Sequence, residues 1–435
     1  MELQGPNTIA GKTAYSLDNG YGGVAVWEIG QDYFPSGGGY NPTYSLLPQI
    51  QTTVASDTAV ISGSVTSGGS GMAGVTVYLD INNNGQLEPG DPSTTTAASG
   101  TYTLSDLLPG TYEVREVAPT GYTQTSPASA AGLSVAVTTG QTASGKNFII
   151  APVSVANAYL FYYGSSAFDN SATTPSSADQ KAMATNKTAL LPNGTAATFA
   201  NVSSYVDGIN GILIDFANEP SGVTFAAGDF QFAGGNNSTP SGWAAGPAPT
   251  SVATWTGSNG DTFADIVWPN GAIKNEWLQV TVKADADTHL ALPDVFYFGS
   301  LVGATGASVT STSNGPLLQV TSADAEQTEL NLSEQSTVPI TSLYDFARTG
   351  QVTSTDVEYA ELNLTEQSGL ELISLGSSGT AVIAASKSKG GNVQAAVTVV
   401  SSAPLAVSSD SAIDDTSSLL QQNNDLLHRV APPRK

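Results

Sequence analysis

The residues whose types and spacing could do chemistry run Asp80-Ile81-Asn82-Asn83-Asn84-Gly85-Gln86-Leu87-Glu88-Pro89-Gly90-Asp91. Counted as a twelve-position loop, they put side-chain oxygens at positions 1, 3, 5, 9 and 12. Gly85 falls at position 6, where a sharp turn needs positive φ, and Leu87 at position 8, where a buried anchor belongs. A hard cation such as Ca²⁺ takes about six to eight oxygens from a flexible loop of this kind. The candidate ligands are Asp80, Asn82, Asn84, Gln86, Glu88 and Asp91. Asp91 in place of a bidentate Glu weakens the expected affinity. The competing reading is an Asn-Gly hairpin turn, which the same residues favour.

The composition limits what else the chain can do. Its 435 residues hold 37 acids against 13 bases, a net charge of −24, with only 11% of residues charged. Such a surface repels nucleic acid and anionic lipid and draws divalent cations. No cysteine is present, which excludes disulfides, thiolate metal sites and cysteine nucleophiles. With His289 and His428 as the only histidines, a histidine metal cluster or Ser-His-Asp triad has little material. No apolar run reaches membrane-span length. Met1-Glu2-Leu3-Gln4 lacks the basic and apolar regions of a signal peptide, so either the true N-terminus is missing or export uses another route.

The elements that must position the loop are strands. Residues 59–65, 74–79, 100–104, 110–117 and 146–150 alternate or run apolar between turn signals. A mainly β, multidomain chain of Greek-key sandwiches is expected, with a short α/β remnant at the N-terminus and a small helical unit near the C-terminus. The stretch from Gly74-Val75-Thr76-Val77-Tyr78-Leu79-Asp80 through Leu108-Pro109-Gly110-Thr111-Tyr112-Glu113-Val114 resembles the B-type repeats of serine-aspartate repeat adhesins. That resemblance implies a small sandwich over 53–151 that is rigid with calcium bound and acts as a spacer. Related collagen-adhesin modules carry a Lys–Asn crosslink, but no Lys occurs between residues 13 and 145, so none is expected.

At the N-terminus, 8–17 has apolar residues at helical spacing and 22–29 reads as a buried parallel strand. Leu17-Asp18-Asn19-Gly20 through Val26-Trp27-Glu28-Ile29-Gly30-Gln31-Asp32 resembles the final strand of family-18 glycoside hydrolases. The resemblance implies that residues 1–35 are the last piece of a barrel, with Trp27 as the floor of a sugar subsite. The family's catalytic element is not found. Its nearest imitation, 207–219, keeps Asp215 and Glu219 but has Ile212 and Ala217 at the other carboxylate positions, so it reads as a sandwich strand without catalysis. No catalytic residue is assigned, and 36–52 reads as a linker.

Residues 152–305 read as a larger aromatic-rich sandwich with strands near 157–163, 211–216, 229–232, 262–268, 276–282 and 294–299. The wording resembles a β-domain of planctomycete secreted proteins. Trp268 and Trp277 lie in apolar strands and are expected in the core, whereas Trp243, in a Pro/Gly loop, is the candidate platform for a sugar ring.

Residues 320–336 recur as 352–368. Each copy is helical after a Ser/Asp cap, and the pair resembles type I dockerins, which implies docking onto a protein partner. In the second loop Asp345, Gly350, Val352 and Asp356 keep the calcium-loop frame, while Ala347 and Thr349 replace ligands; the first, ending at Asp324, keeps almost nothing. The repeat unit is set at 306–375. A low-complexity tail follows at 376–435, with a strand at 393–400 and a helix around 419–427.

Together these features predict the non-catalytic accessory part of a secreted, modular, chitinase-like enzyme, with a chitin-like polysaccharide as partner. The alternative is a cell-surface structural or adhesive protein with a B-type stalk. Either is extracellular or cell-surface.

Overall fold

The computed structural model describes residues 6–18, 46–128, 130–169, 177–257, 260–333, 336–365 and 368–376. Trp27, the strand expected at 22–29 and the elements expected in the tail lie outside them. The first helices are α1 (Pro6–Asp18) and α2 (Leu46–Asp57), which pack together. α2 begins inside the stretch expected to be a linker. Its Leu46, Leu47, Ile50 and Val54 recur at helical spacing, and Pro48 falls in the first turn, where a missing N–H costs nothing.

The first sandwich starts at Ala59. Strand Ala59–Ser67 pairs antiparallel with Thr101–Leu107 and parallel with Phe148–Pro152, which pairs in turn with Tyr122–Ser126. The facing sheet runs Ser93–Thr95, Thr76–Leu79, Gly110–Val117, Leu133–Val137. Ile61, Val65, Val77, Leu79, Tyr102, Val114, Val135, Phe148 and Ile150 fill the space between. Alternation puts these side chains inward and their neighbours outward.

One residue joins this sandwich to the next. Strand Phe148–Pro152 ends and strand Ser154–Leu160 begins, with Val153 buried in the second core and its N–H donating to the Gly121 carbonyl at 2.9 Å. The Asn218 amide donates to the Pro152 carbonyl at 2.9 Å. Gly121 (φ +82°) lies so close to Ala291 that a β-carbon there would sit 2.6 Å from the Ala291 β-carbon. A glycine is required there on both counts.

The second sandwich has one sheet of Ser154–Leu160, Gly211–Ala217, Thr262–Val267 and Ser251–Thr256. The other is built on Phe230–Gly235, Trp277–Val282 and Asp294–Ser300. Ile212, Ile214, Phe216, Leu278, Val280, Phe296 and Phe298 face one another across the interior. Trp277 and Tyr297 alternate onto the outer face and form a second core with Leu318, Val320, Phe346, Ala360 and Leu370. Residues on both sides of position 305 therefore share one core, and Trp277 seals it by donating from Nε1 to the Glu371 carbonyl at 2.7 Å.

The internal repeat folds as α3 (Ser322–Glu329) and α4 (Ser354–Leu362). At their N-termini Asp324 and Asp356 each accept the N–H of the residue before the helix, Thr321 or Thr353, at 2.9 Å. The copies clasp each other reciprocally. Ser333 N–H donates to the Val352 carbonyl and Thr365 N–H to the Val320 carbonyl, at 2.8 and 2.9 Å. Those residues are equivalent in the two repeats, so the helix pair has an approximate two-fold arrangement. Among the described residues, no helix is long and apolar enough to cross a membrane.

Candidate cation loop

The Asp80–Asp91 loop leaves strand Thr76–Leu79 and is pinched at its base. Leu79 N–H donates to the Pro92 carbonyl and Asp80 N–H to the Glu113 carbonyl, both at 2.9 Å. Asp80 is buried. Its Oδ1 accepts the Asn84 N–H at 3.0 Å and its Oδ2 accepts the Gly85 N–H at 2.8 Å. Asn83 (φ 54°) and Gly85 (φ 78°) are left-handed, which turns those two N–H groups inward. Asn82 Oδ1 also faces the Asn84 N–H (3.2 Å), its amide donates to Glu88 Oε2 at 2.7 Å, and Gln86 N–H donates to Asn84 Oδ1 at 2.8 Å. Asp91 closes the loop by accepting the Glu88 N–H at 2.9 Å.

The six residues chosen from spacing lie on one loop, where Asn82, Asn84, Gln86 and Glu88 are exposed and Asp80 is buried. Leu87 departs from expectation: it is 43% exposed and anchors nothing. Hydrogen bonds to Asp80 and Asp91 hold the loop in shape, so an apolar anchor is unnecessary.

Composition reasoning missed Arg115. It lies on strand Gly110–Val117 directly opposite Tyr78, and its Nε donates to Asp80 Oδ2 at 2.7 Å. The same guanidinium reaches Asn83 Oδ1 at 3.0 Å and the Ala130 carbonyl at 2.7 Å. Burial would raise the Asp80 carboxyl, but the Gly85 and Asn84 N–H groups and Arg115 outweigh it and hold the group below the ordinary carboxylate range. The donor types, hard oxygens with an ionised Asp80, are those that Ca²⁺ takes. Arg115 occupies one side of that carboxylate and leaves Oδ1 as the oxygen that can turn to a cation.

Trp243 is half-buried. Its Nε1 bonds the Asn237 carbonyl and Oδ1 at 3.2 and 3.1 Å, its ring meets Tyr297 edge-on at 5.8 Å, and Gly235 lies beneath it. Trp268 and Trp277 are buried, as their strands require. Asp215 and Glu219 are engaged separately. Burial, reinforced by Asp261, raises Asp215 to about 6. Glu219 Oε2 lies 3.1 Å from His289 Nδ1.

Beside the junction, Tyr78, Arg115, Glu116 and Tyr122 of the first sandwich and Pro220 and His289 of the second line a cleft of about 570 Å³. Burial raises Glu116 to about 7 and Glu219 to about 8. Because the folded value of Glu219 lies above its unfolded one, its contribution to stability is complete below about 4.5 and lost as pH rises through about 8. Glu219→Gln should therefore flatten the decline in melting temperature across that window, as a pH series of thermal melts would show.

Residues 53–148 match the family model of the SdrD B-like domain. The match does not extend to the stretches compared above with glycoside hydrolases, planctomycete proteins or dockerins. No curated protein matches the chain. Among solved structures, the chain is similar to the minor pilin GBS52 of Streptococcus agalactiae (20% identity, 22% of this chain and 45% of that one, TM-score 0.18). It is also similar to the major pilin SpaD of Corynebacterium diphtheriae (9%, 61% and 65%, TM-score 0.23) and to the pilus protein RrgB of Streptococcus pneumoniae (12%, 52% and 48%, TM-score 0.25). The chain spans less than two thirds of the length of each. Within the matched residues, the Asp80–Asp91 loop connects strands Thr76–Leu79 and Ser93–Thr95 of one sheet.

Proposed function

We propose that the chain is a stalk or spacer segment of a cell-surface or secreted protein, stiffened by calcium in the Asp80–Asp91 loop. The observation that carries this reading is an SdrD B-like module joined to a second sandwich through the single residue Val153. A joint held by Val153, Asn218 and the Gly121–Ala291 contact has little freedom to bend, which suits a rod better than a tethered domain. Asp80, Asn82, Asn84, Glu88 and Asp91 would hold the ion by side-chain oxygens, with Gln86 at position 7. Bound only to the folded module, the ion adds stability by mass action.

Pulling the full chain from its two ends in a single-molecule instrument tests this. The force that unfolds residues 53–152 is expected to be higher in calcium than in chelator; equal forces would contradict a calcium-stiffened stalk. The polysaccharide reading meets a half-buried Trp243. The full chain is expected to stay in solution when mixed with insoluble chitin, and sedimentation abolished by Trp243→Ala would restore that reading.

A further inference from the structure

Two loops of this chain share one backbone plan. In the second, Asp345–Asp356, the first-position carboxylate accepts the N–H groups of positions 5 and 6, Thr349 at 3.0 Å and Gly350 at 2.9 Å, as Asp80 accepts those of Asn84 and Gly85. Positions 4 and 6 are left-handed in both: Asn83 (54°) and Gly85 (78°), Arg348 (51°) and Gly350 (77°). The twelfth-position carboxylate accepts the ninth-position N–H at 2.9 Å in both, from Glu88 to Asp91 and from Thr353 to Asp356.

The ligand positions differ. Where the first loop has Asn82 and Asn84, the second has Ala347 and Thr349. Where the first has the exposed Asn83, the second has Arg348, whose side chain is almost wholly buried. Its Nη1 donates to the Ser342 and Asp345 carbonyls, both at 2.6 Å. Its Nη2 reaches Tyr162 Oη at 3.2 Å and Ser204 Oγ at 3.4 Å, and the guanidinium lies 4.4 Å from the centroid of the Tyr162 ring. Burial raises the Asp345 carboxyl, and the Thr349 and Gly350 N–H groups and Arg348 pull against that. Calcium, which the dockerin resemblance implies here, does not fit this donor set.

We infer that the Asp345–Asp356 loop is held without a metal ion, with the Arg348 guanidinium, bonded to the Ser342 and Asp345 carbonyls, Tyr162 and Ser204, fastening the helical repeat to the second sandwich. A metal-dependent clasp and a metal-free one would then coexist in the chain. The planar guanidinium suits the role because it stays charged and spreads its donors over two carbonyls and an aromatic face. The reading of the first loop as a calcium site is used only to assign the expected count of ions.

Calorimetric titration of the full, metal-stripped chain with calcium tests the inference. One ion per chain, lost in Asp80→Ala, is the expected result. An ion that persists in Asp80→Ala and disappears on adding Asp345→Asn would overturn it. No ion at all would remove the calcium reading of the first loop while upholding a metal-free second loop. As a second measurement, Arg348→Met should lower the melting temperature of residues 152–376 with no recovery in calcium, and Arg348→Lys should fall between it and the native chain. Recovery by calcium in Arg348→Met would contradict a metal-free loop.

Discussion

Trp277→Ala is expected to destabilise the second sandwich by about 4 kcal/mol, the scale for truncating a buried Trp in a core that collapses only partly. Trp277 is fully buried on the outer face of its sheet, where it packs with Tyr297, Phe346 and Leu370. Its removal also orphans the Glu371 carbonyl that Nε1 satisfies at 2.7 Å. Since that core holds residues from 190 to 375, the sandwich and the helix pair should melt together, roughly 10 °C lower by thermal denaturation. Separate melting of the helix pair in the variant would show that the shared core is not cooperative.

Asp80→Ala comes next in size and acts on the first sandwich. It strands Arg115 and frees the Asn84 and Gly85 N–H groups that turn the loop. Breaking a buried pair costs about 3–5 kcal/mol, but Arg115 keeps a solvent edge, so about 2 kcal/mol is expected without metal. On the proposed calcium reading the loss should widen in calcium, because the variant would also forfeit the ion. Chemical denaturation followed by the tyrosines of the first sandwich would measure both values. Asp80 lies below its unfolded value when folded, so its contribution is complete above the ordinary carboxylate range and lost as pH falls through the lowered one.

How much of this was legible in the sequence differs from element to element. The first sandwich was readable because period-two alternation and turn glycines mark its strands, and the loop because oxygens, Gly85 and Asp91 hold fixed intervals. Arg115 was not, since only strand pairing brings it opposite Tyr78, 35 residues from Asp80 in the chain. The shared core around Trp277 was hidden for a related reason. A sheet buried on both faces has apolar residues at successive positions, and nothing local says that the repeat supplies the second cover. The reciprocal clasp of the repeat could have been anticipated from the matched positions of Ser333 and Thr365, whose side chains each accept the N–H of the other copy's valine. Trp243 sits in a Pro/Gly loop yet is half-buried, since Gly235 makes room for its ring against the sheet.

The most direct measurement is the calorimetric melting of the full chain in saturating calcium and in chelator. At about a hundredfold excess over the dissociation constant, the transition of residues 53–152 should gain about 2.7 kcal/mol and move up by several degrees, with that of residues 152–376 fixed. Coincident traces in the two solutions would contradict a calcium-stiffened stalk.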